Sequence, residues 1–156
     1  MTFSEGIRMR ASVRRTVRRS AVLATATATA AFAALAAVPA HAATPAGLCG
    51  SGYTEIDARN LSNSTTALAR VHLLHNAATG YNCVVTLHTA ATAGFPLPTG
   101  AWLTPQGSTT RKDQDVYGSY AGPVRAYAAG RCVSWGGMIE AGVGTYAYTS
   151  PWEHCG

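Results

Sequence analysis

Four cysteines, Cys49, Cys83, Cys132 and Cys155, constrain this chain more than any other feature, because they lie beyond an export signal and none belongs to a C-x-x-C pair. Thiols in an exported chain are oxidised rather than kept reduced, so an even number of them implies two disulfides. Their wide spacing gives a zinc knuckle nothing to build on. Three connectivities are possible, and sequence does not select among them; the sequential pairing, Cys49 with Cys83 and Cys132 with Cys155, is the favoured one. Loops of these lengths would each contribute about 3 to 4 kcal/mol by restricting the unfolded chain, a large share of a small domain's stability. Cys155 stands next to the C-terminal Gly156 and would tie down an end that otherwise frays.

The export signal occupies residues 1–42. Arg8, Arg10, Arg14, Arg15, Arg18 and Arg19 form a positive region, an apolar run follows from Ala21 to Val38, and Pro39-Ala40-His41-Ala42 ends it with small residues at both A-x-A positions. Thr25, Thr27 and Thr29 dilute the run and most of the rest is alanine, so cleavage after Ala42 is expected rather than a membrane anchor, with no transmembrane segment in the mature chain. The arginine pairs do not distinguish the folded from the unfolded export route, and Met9 is an alternative start. Residues 43–156 then form one secreted domain.

Charge follows the same boundary. The formal net charge of +5 sits in the leader, whereas beyond residue 42 Arg59, Arg70, Arg111, Lys112, Arg125 and Arg131 balance Glu55, Asp57, Asp113, Asp115, Glu140 and Glu153. A nucleic-acid binder needs cations to neutralise phosphates, so a neutral mature chain argues against that class.

Short runs of β-branched and aromatic residues, punctuated by Gly, Pro and Asn, recur along the mature chain without helical spacing. They predict strands at Tyr53–Ala58, Ala67–His75, Asn82–Thr89, Ala101–Thr104, Asp115–Tyr120, Val124–Ala128, Arg131–Trp135 and Thr145–Thr149. The second and third form a hairpin around Asn76–Gly80, with the Cys83, Val85 and Leu87 face of the latter buried. Asn60–Thr66, Gly122-Pro123, Ala129-Gly130, Gly136-Gly137 and Gly142–Gly144 are turn signals, and Ala91–Gly100, with Pro96 and Pro98, reads as a loop. The fold class that follows is all-β: a small antiparallel sandwich or barrel tied by two disulfides.

Chemistry is harder to find. His72, His75 and His88 fall on the hairpin, but His72 and His75 point to opposite faces, so a metal there is not expected. Asp113 and Asp115 could share one face of a strand about 7 Å apart, a separation compatible with a glycosidase pair. The run Arg111-Lys112-Asp113-Gln114-Asp115 nevertheless reads more simply as a mixed charged surface turn. No G-x-S-x-G elbow or H-E-x-x-H pair occurs, and paired cysteines leave no thiol nucleophile. Neither catalytic residues nor a cofactor is expected. The remaining candidate is an aromatic binding face built from Trp102, Trp152, Tyr146 and Tyr148, since flat amphipathic rings suit sugar faces and protein partners alike.

Five strings add a resemblance: CGSGY at Cys49–Tyr53, YNCVVT at Tyr81–Thr86, YAGPVRA at Tyr120–Ala126, GRCVSWGG at Gly130–Gly137 and EHCG at Glu153–Gly156. Together they resemble the spore-associated protein A family of the streptomycetes, with all four cysteines inside the matching strings. None of the strings is a catalytic signature. The resemblance implies a small exported protein that associates with the spores or cell surface of a filamentous actinobacterium, and it transfers no functional residue. The expectation is a non-enzymatic, secreted spore or cell-surface component whose partners are wall or spore-surface constituents, with self-association as a further expectation favoured by near-neutral charge. The alternative is a secreted binding module using Trp and Tyr on carbohydrate, or a small protease inhibitor presenting the stiffened Ala91–Gly100 loop.

Overall fold

The structure, a computed structural model, describes residues 43–156; the expected signal peptide at 1–42 lies outside the described residues. A short helix, α1 (Pro45–Cys49), precedes eight strands: β1 (Thr54–Ser62), β2 (Ala67–Asn76), β3 (Tyr81–His88), β4 (Leu97–Pro105), β5 (Arg111–Tyr117), β6 (Tyr120–Tyr127), β7 (Val133–Ala141) and β8 (Gly144–Thr149). They form two antiparallel sheets in the orders β1-β2-β3-β6 and β5-β4-β7-β8, so of the two expected architectures the chain adopts the sandwich. Among the described residues, no helix is long and apolar enough to cross a membrane.

Alternation along each strand sends one set of side chains between the sheets. Ala69, Val71 and Leu73 of β2, Val84 of β3, Ala101 and Leu103 of β4, and Val133, Trp135 and Ile139 of β7 fill that space. Trp135 is the largest fully buried side chain, and its ring meets that of Tyr148 edge-on with centroids 5.4 Å apart. A second, smaller core lies on the outer side of the first sheet, where Cys49, Leu74, Cys83 and Val85 pack with Leu48, Tyr53 and Tyr120. Helix α1 covers this patch, capped by the Thr44 hydroxyl accepting from the Gly47 amide. Both faces of β3 are therefore buried, rather than the Cys83 face alone.

Both favoured disulfides are formed. Cys49–Cys83 pins α1 to β3, and Cys132–Cys155 pins the C-terminal tail beside the start of β7. Arg125 strengthens the first attachment by donating to the carbonyls of Leu48 and Cys49 at 2.9 to 3.1 Å.

Several boundaries differ from the sequence expectations, each for a tertiary reason. Strand β1 runs on through Ser62 despite its Asn/Ser content, because β2 pairs with it along its length. Arg111–Asp115 is strand rather than turn, and the turn comes at Gly118-Ser119, inside the run expected to be a strand at Asp115–Tyr120. The Ala91–Gly100 loop shortens, since Leu97–Gly100 already belongs to β4; Pro98 and Pro105 lie near its two ends, where a missing N–H costs least.

Gly136-Gly137 is the largest departure, for it occupies the middle of β7 rather than a turn. A Cβ on Gly137 would collide with the Thr86 hydroxyl and come within 2.9 Å of the Gly100 carbonyl oxygen and 3.1 Å of Val71. Glycine is there for close approach between the sheets, not for chain reversal. At Gly122 the reason is conformational: φ is +98°, at the register shift where β6 crosses Val84 to Thr86 of β3, so the expected turn is a bulge within a strand.

Candidate functional site

The aromatic residues expected to form one binding face are divided by the strand alternation. In β8, Tyr146 and Tyr148 do share a side, but that side faces inward, where both are half-buried against the main core. Tyr148 is further occupied by the Arg59 guanidinium, 5.7 Å above its ring. Trp102 points the other way, because its neighbours Ala101 and Leu103 enter the core. Its indole lies across the outer face of the second sheet over Gly136, whose Cβ would come within 2.6 Å of the indole nitrogen. Trp152 is half exposed on the tail beyond β8. The four do not assemble into a single face, and Trp102 is the one seated on a sheet surface.

The three hairpin histidines each take a different partner. Nδ1 of His72 donates to Glu55 at 2.6 Å, and Nδ1 of His75 to the Asn82 side chain at 2.8 Å. His88 donates to the Thr92 carbonyl and places Nε2 2.8 Å from the Thr99 hydroxyl. Burial holds the His72 pKa below its ordinary value, although the bond to Glu55 opposes this.

Asp113 and Asp115 share a side of β5, as their spacing requires, but both oxygens of Asp113 and one of Asp115 are engaged. Asp113 accepts from the Tyr117 hydroxyl at 2.5 Å and from the Gly122 amide at 2.7 Å, which ties β5 to β6 across the seam between the sheets. Asp115 accepts from the Val116 amide at 2.7 Å. The hydrogen bond to the Asp113 carboxylate, more than burial, pushes the Tyr117 phenol up to about 12. This arrangement closes a corner of the sandwich.

One mixed cluster was not expected from sequence. Asp57, Glu153 and His154 bring one ligand atom each within 4.8 Å of one another. Asp57, however, is bonded to Arg59 at 2.7 Å, and Glu153 accepts from the buried Trp135 indole N–H at 2.7 Å. His154 Nε2 lies 3.3 Å from Asp57. A guanidinium already on one carboxylate disfavours a divalent cation, so the cluster fits a polar contact between His154 of the C-terminal tail and Asp57 of β1.

A second unexpected feature lies at the end of the sandwich, where the β2–β3, β4–β5 and β6–β7 connections meet. A cleft of about 450 Å³ is lined by Tyr81, Ser108, Thr109, Arg111, Tyr127 and Arg131, among others, and no carboxylate among the described residues lines it. Tyr81 and Tyr127 are directly paired across β3 and β6, with rings edge-on at 5.6 Å, and both are about half exposed. Arg131 is fixed in the wall by donating to the Ser108 hydroxyl at 2.9 Å and the Tyr127 carbonyl at 2.8 Å. Arg111 makes no side-chain hydrogen bond or ion pair among the described residues. No short motif marks this cleft, because its residues come from the β4–β5 and β6–β7 connections and from the ends of β3, β4, β5 and β6.

Comparison with known proteins finds this chain similar to one of known name. It is 39% identical over 94 residues to Spore-associated protein A of Streptomyces coelicolor, an alignment covering 60% of this chain and 57% of that relative. The chain thus spans somewhat over half the length of the protein it matches, and the similarity supports the resemblance carried by the cysteine-containing strings. No family model matches the chain, and no solved structure matches it.

Proposed function

We propose that this chain is an exported, non-enzymatic protein that associates with the spore or cell surface, where its disulfide-tied sandwich serves as a structural or adhesive component. The observation carrying this reading is the similarity to Spore-associated protein A. Two formed disulfides support it, because such bridges persist in oxidising surroundings outside the cytoplasm. The engagement of the Asp113 carboxylate and of each hairpin histidine in fold-holding bonds supports a non-catalytic role. The test is fractionation of the source organism into medium, vegetative wall and spores, with the chain located by intact mass. Recovery with spores or wall, at a mass lacking residues 1–42 and four thiol hydrogens, is the expected result. Recovery only from clear medium would refute the surface role.

A carbohydrate-binding module is the second reading, favoured by the outward seat of Trp102 over Gly136. Retention of the purified chain on insoluble chitin, cellulose or peptidoglycan, lost in Trp102→Ala, is what that reading expects.

A further inference from the structure

The mature chain is neutral overall, yet its charges are not evenly paired. Arg59 pairs with Asp57, Arg70 donates to Asn60, and Arg125 is spent on the carbonyls of α1. Among the carboxylates, Glu55 and Glu153 hold His72 and the Trp135 indole, and Asp113 holds the β5–β6 corner. Arg111 and Arg131 are left together on one cleft without an acidic neighbour in its wall. Two guanidiniums with no ion-pair partner among the described residues, in a concave and largely polar site, favour anions there.

The chemistry of the wall narrows the class of anion. A guanidinium offers a fork of N–H donors that matches carboxylate and phosphate oxygens alike. Here two forks stand with the Ser108 and Thr109 hydroxyls, a donor set richer than one planar carboxylate can use and suited to a tetrahedral oxyanion. Arg131 is already held by two hydrogen bonds, so little of its freedom is left to lose on binding. The half-exposed rings of Tyr81 and Tyr127 add flat surface beside the charged wall. Two connections and four strand ends of a disulfide-tied scaffold supply the residues, so most of the wall is held by sheet pairing.

We propose that this cleft binds phosphodiester groups of an anionic surface polymer, with Arg111 and Arg131 as the principal ligands. The source of the polymer rests on the surface role proposed above; the site itself does not.

The test uses the purified, oxidised chain and three probes of matched charge: poly(glycerol phosphate), polygalacturonate as the carboxylate polymer, and a single-stranded DNA oligonucleotide. Calorimetric titration should show binding to poly(glycerol phosphate) that weakens as salt is raised. Arg111→Gln should reduce affinity about tenfold or more, because a charge-assisted contact is lost. Arg111→Lys, which keeps the charge and removes the fork, should fall between that variant and the native chain. Lys112→Gln changes the same net charge on the neighbouring, oppositely directed position of β5 and should stay within about twofold. Arg111 makes no side-chain hydrogen bond or ion pair among the described residues, so its variants should keep the native melting temperature. Native-like affinity in Arg111→Gln, an equal loss in Lys112→Gln, or tighter binding of polygalacturonate or DNA would each overturn the proposal. A chain that sediments with spores yet ignores the phosphate polymer would refute the cleft alone, leaving the surface role standing.

Discussion

Gly137→Ala is expected to destabilise the sandwich by about 3 kcal/mol. The added methyl would meet the Thr86 hydroxyl, the Gly100 carbonyl oxygen at 2.9 Å and Val71 at 3.1 Å, all in the fully buried space between the sheets. Thr86 now donates to that same carbonyl at 2.8 Å. Displacing the hydroxyl would strip a buried hydrogen bond, worth about 1 to 3 kcal/mol when its partners are left unsatisfied. Overpacking a filled interior adds about 1 to 3 kcal/mol. Against these stands the lower backbone entropy of alanine in the unfolded chain, a gain of about 0.5 to 1 kcal/mol. The remainder is a substantial part of the roughly 5 to 15 kcal/mol that holds such a domain together. Urea unfolding of the oxidised protein, followed through tryptophan fluorescence to which buried Trp135 contributes beside Trp102 and Trp152, measures it directly. A double-mutant cycle locates the cause: Thr86→Ala alone should cost about 1 to 2 kcal/mol, and the double variant should be more stable than the sum of the singles by about 1 kcal/mol or more, because the colliding oxygen is gone. A Gly137→Ala protein within about 0.5 kcal/mol of native, or singles that simply add, would refute the steric argument.

Replacing Cys49 and Cys83 together by alanine should cost about 4 kcal/mol on the chain-entropy relation for a separation of 34 residues, and the Cys132–Cys155 pair slightly less for 23, as read from denaturant midpoints. Because the folded pKa of Tyr117 lies at about 12, above its ordinary 10.0, the stability it contributes is complete below pH 10 and is lost as pH rises through about 12. Tyr117→Phe should remove that alkaline component from a pH series of melting temperatures. His72 has the opposite sense: its folded pKa is depressed below 6.5, so the unfolded chain takes up the proton first and stability falls as pH drops below about 6.5. His72→Gln should flatten this acid limb, and an unchanged slope would show that another group sets it.

Much of the fold was legible because strand alternation is a local signal. Ala67–His75 and Asn82–Thr89 were located to within a residue, and their pairing follows from the turn-rich segment between them. The failures share one cause, which is that a residue type common in turns means something different once a neighbouring strand pairs with it. Gly136-Gly137 carries the composition of a reversal, but its job is set by Thr86 and Trp102, which lie far away in sequence. Likewise Arg111–Asp115 looks like an exposed turn until β4 pairs along it. The disulfide pairing was favoured but not determined, since it depends on α1 folding back onto the outer side of β3.

Sites fared worse than strands for a related reason. Tyr146 and Tyr148 were grouped correctly by their period of two, but period alone does not say which side of an edge strand meets the core; Trp135, inward on β7, draws them in. Trp102 could be turned outward only by knowing that Ala101 and Leu103 are core residues. The arginine cleft could not be read at all, for Arg111 reads as part of a charged turn and Arg131 as the start of a strand, and nothing local brings the two together. The zero charge balance excludes a broadly basic surface, but it does not constrain where the charges fall. Here the carboxylates are drawn to the seams and tail of the sandwich, where they bond Tyr117, His72, Arg59 and Trp135. The cleft is left with two cations and no counterion of its own. A neutral chain can thus present a localised anion site, because a zero net charge does not fix how the two signs are distributed over the surface.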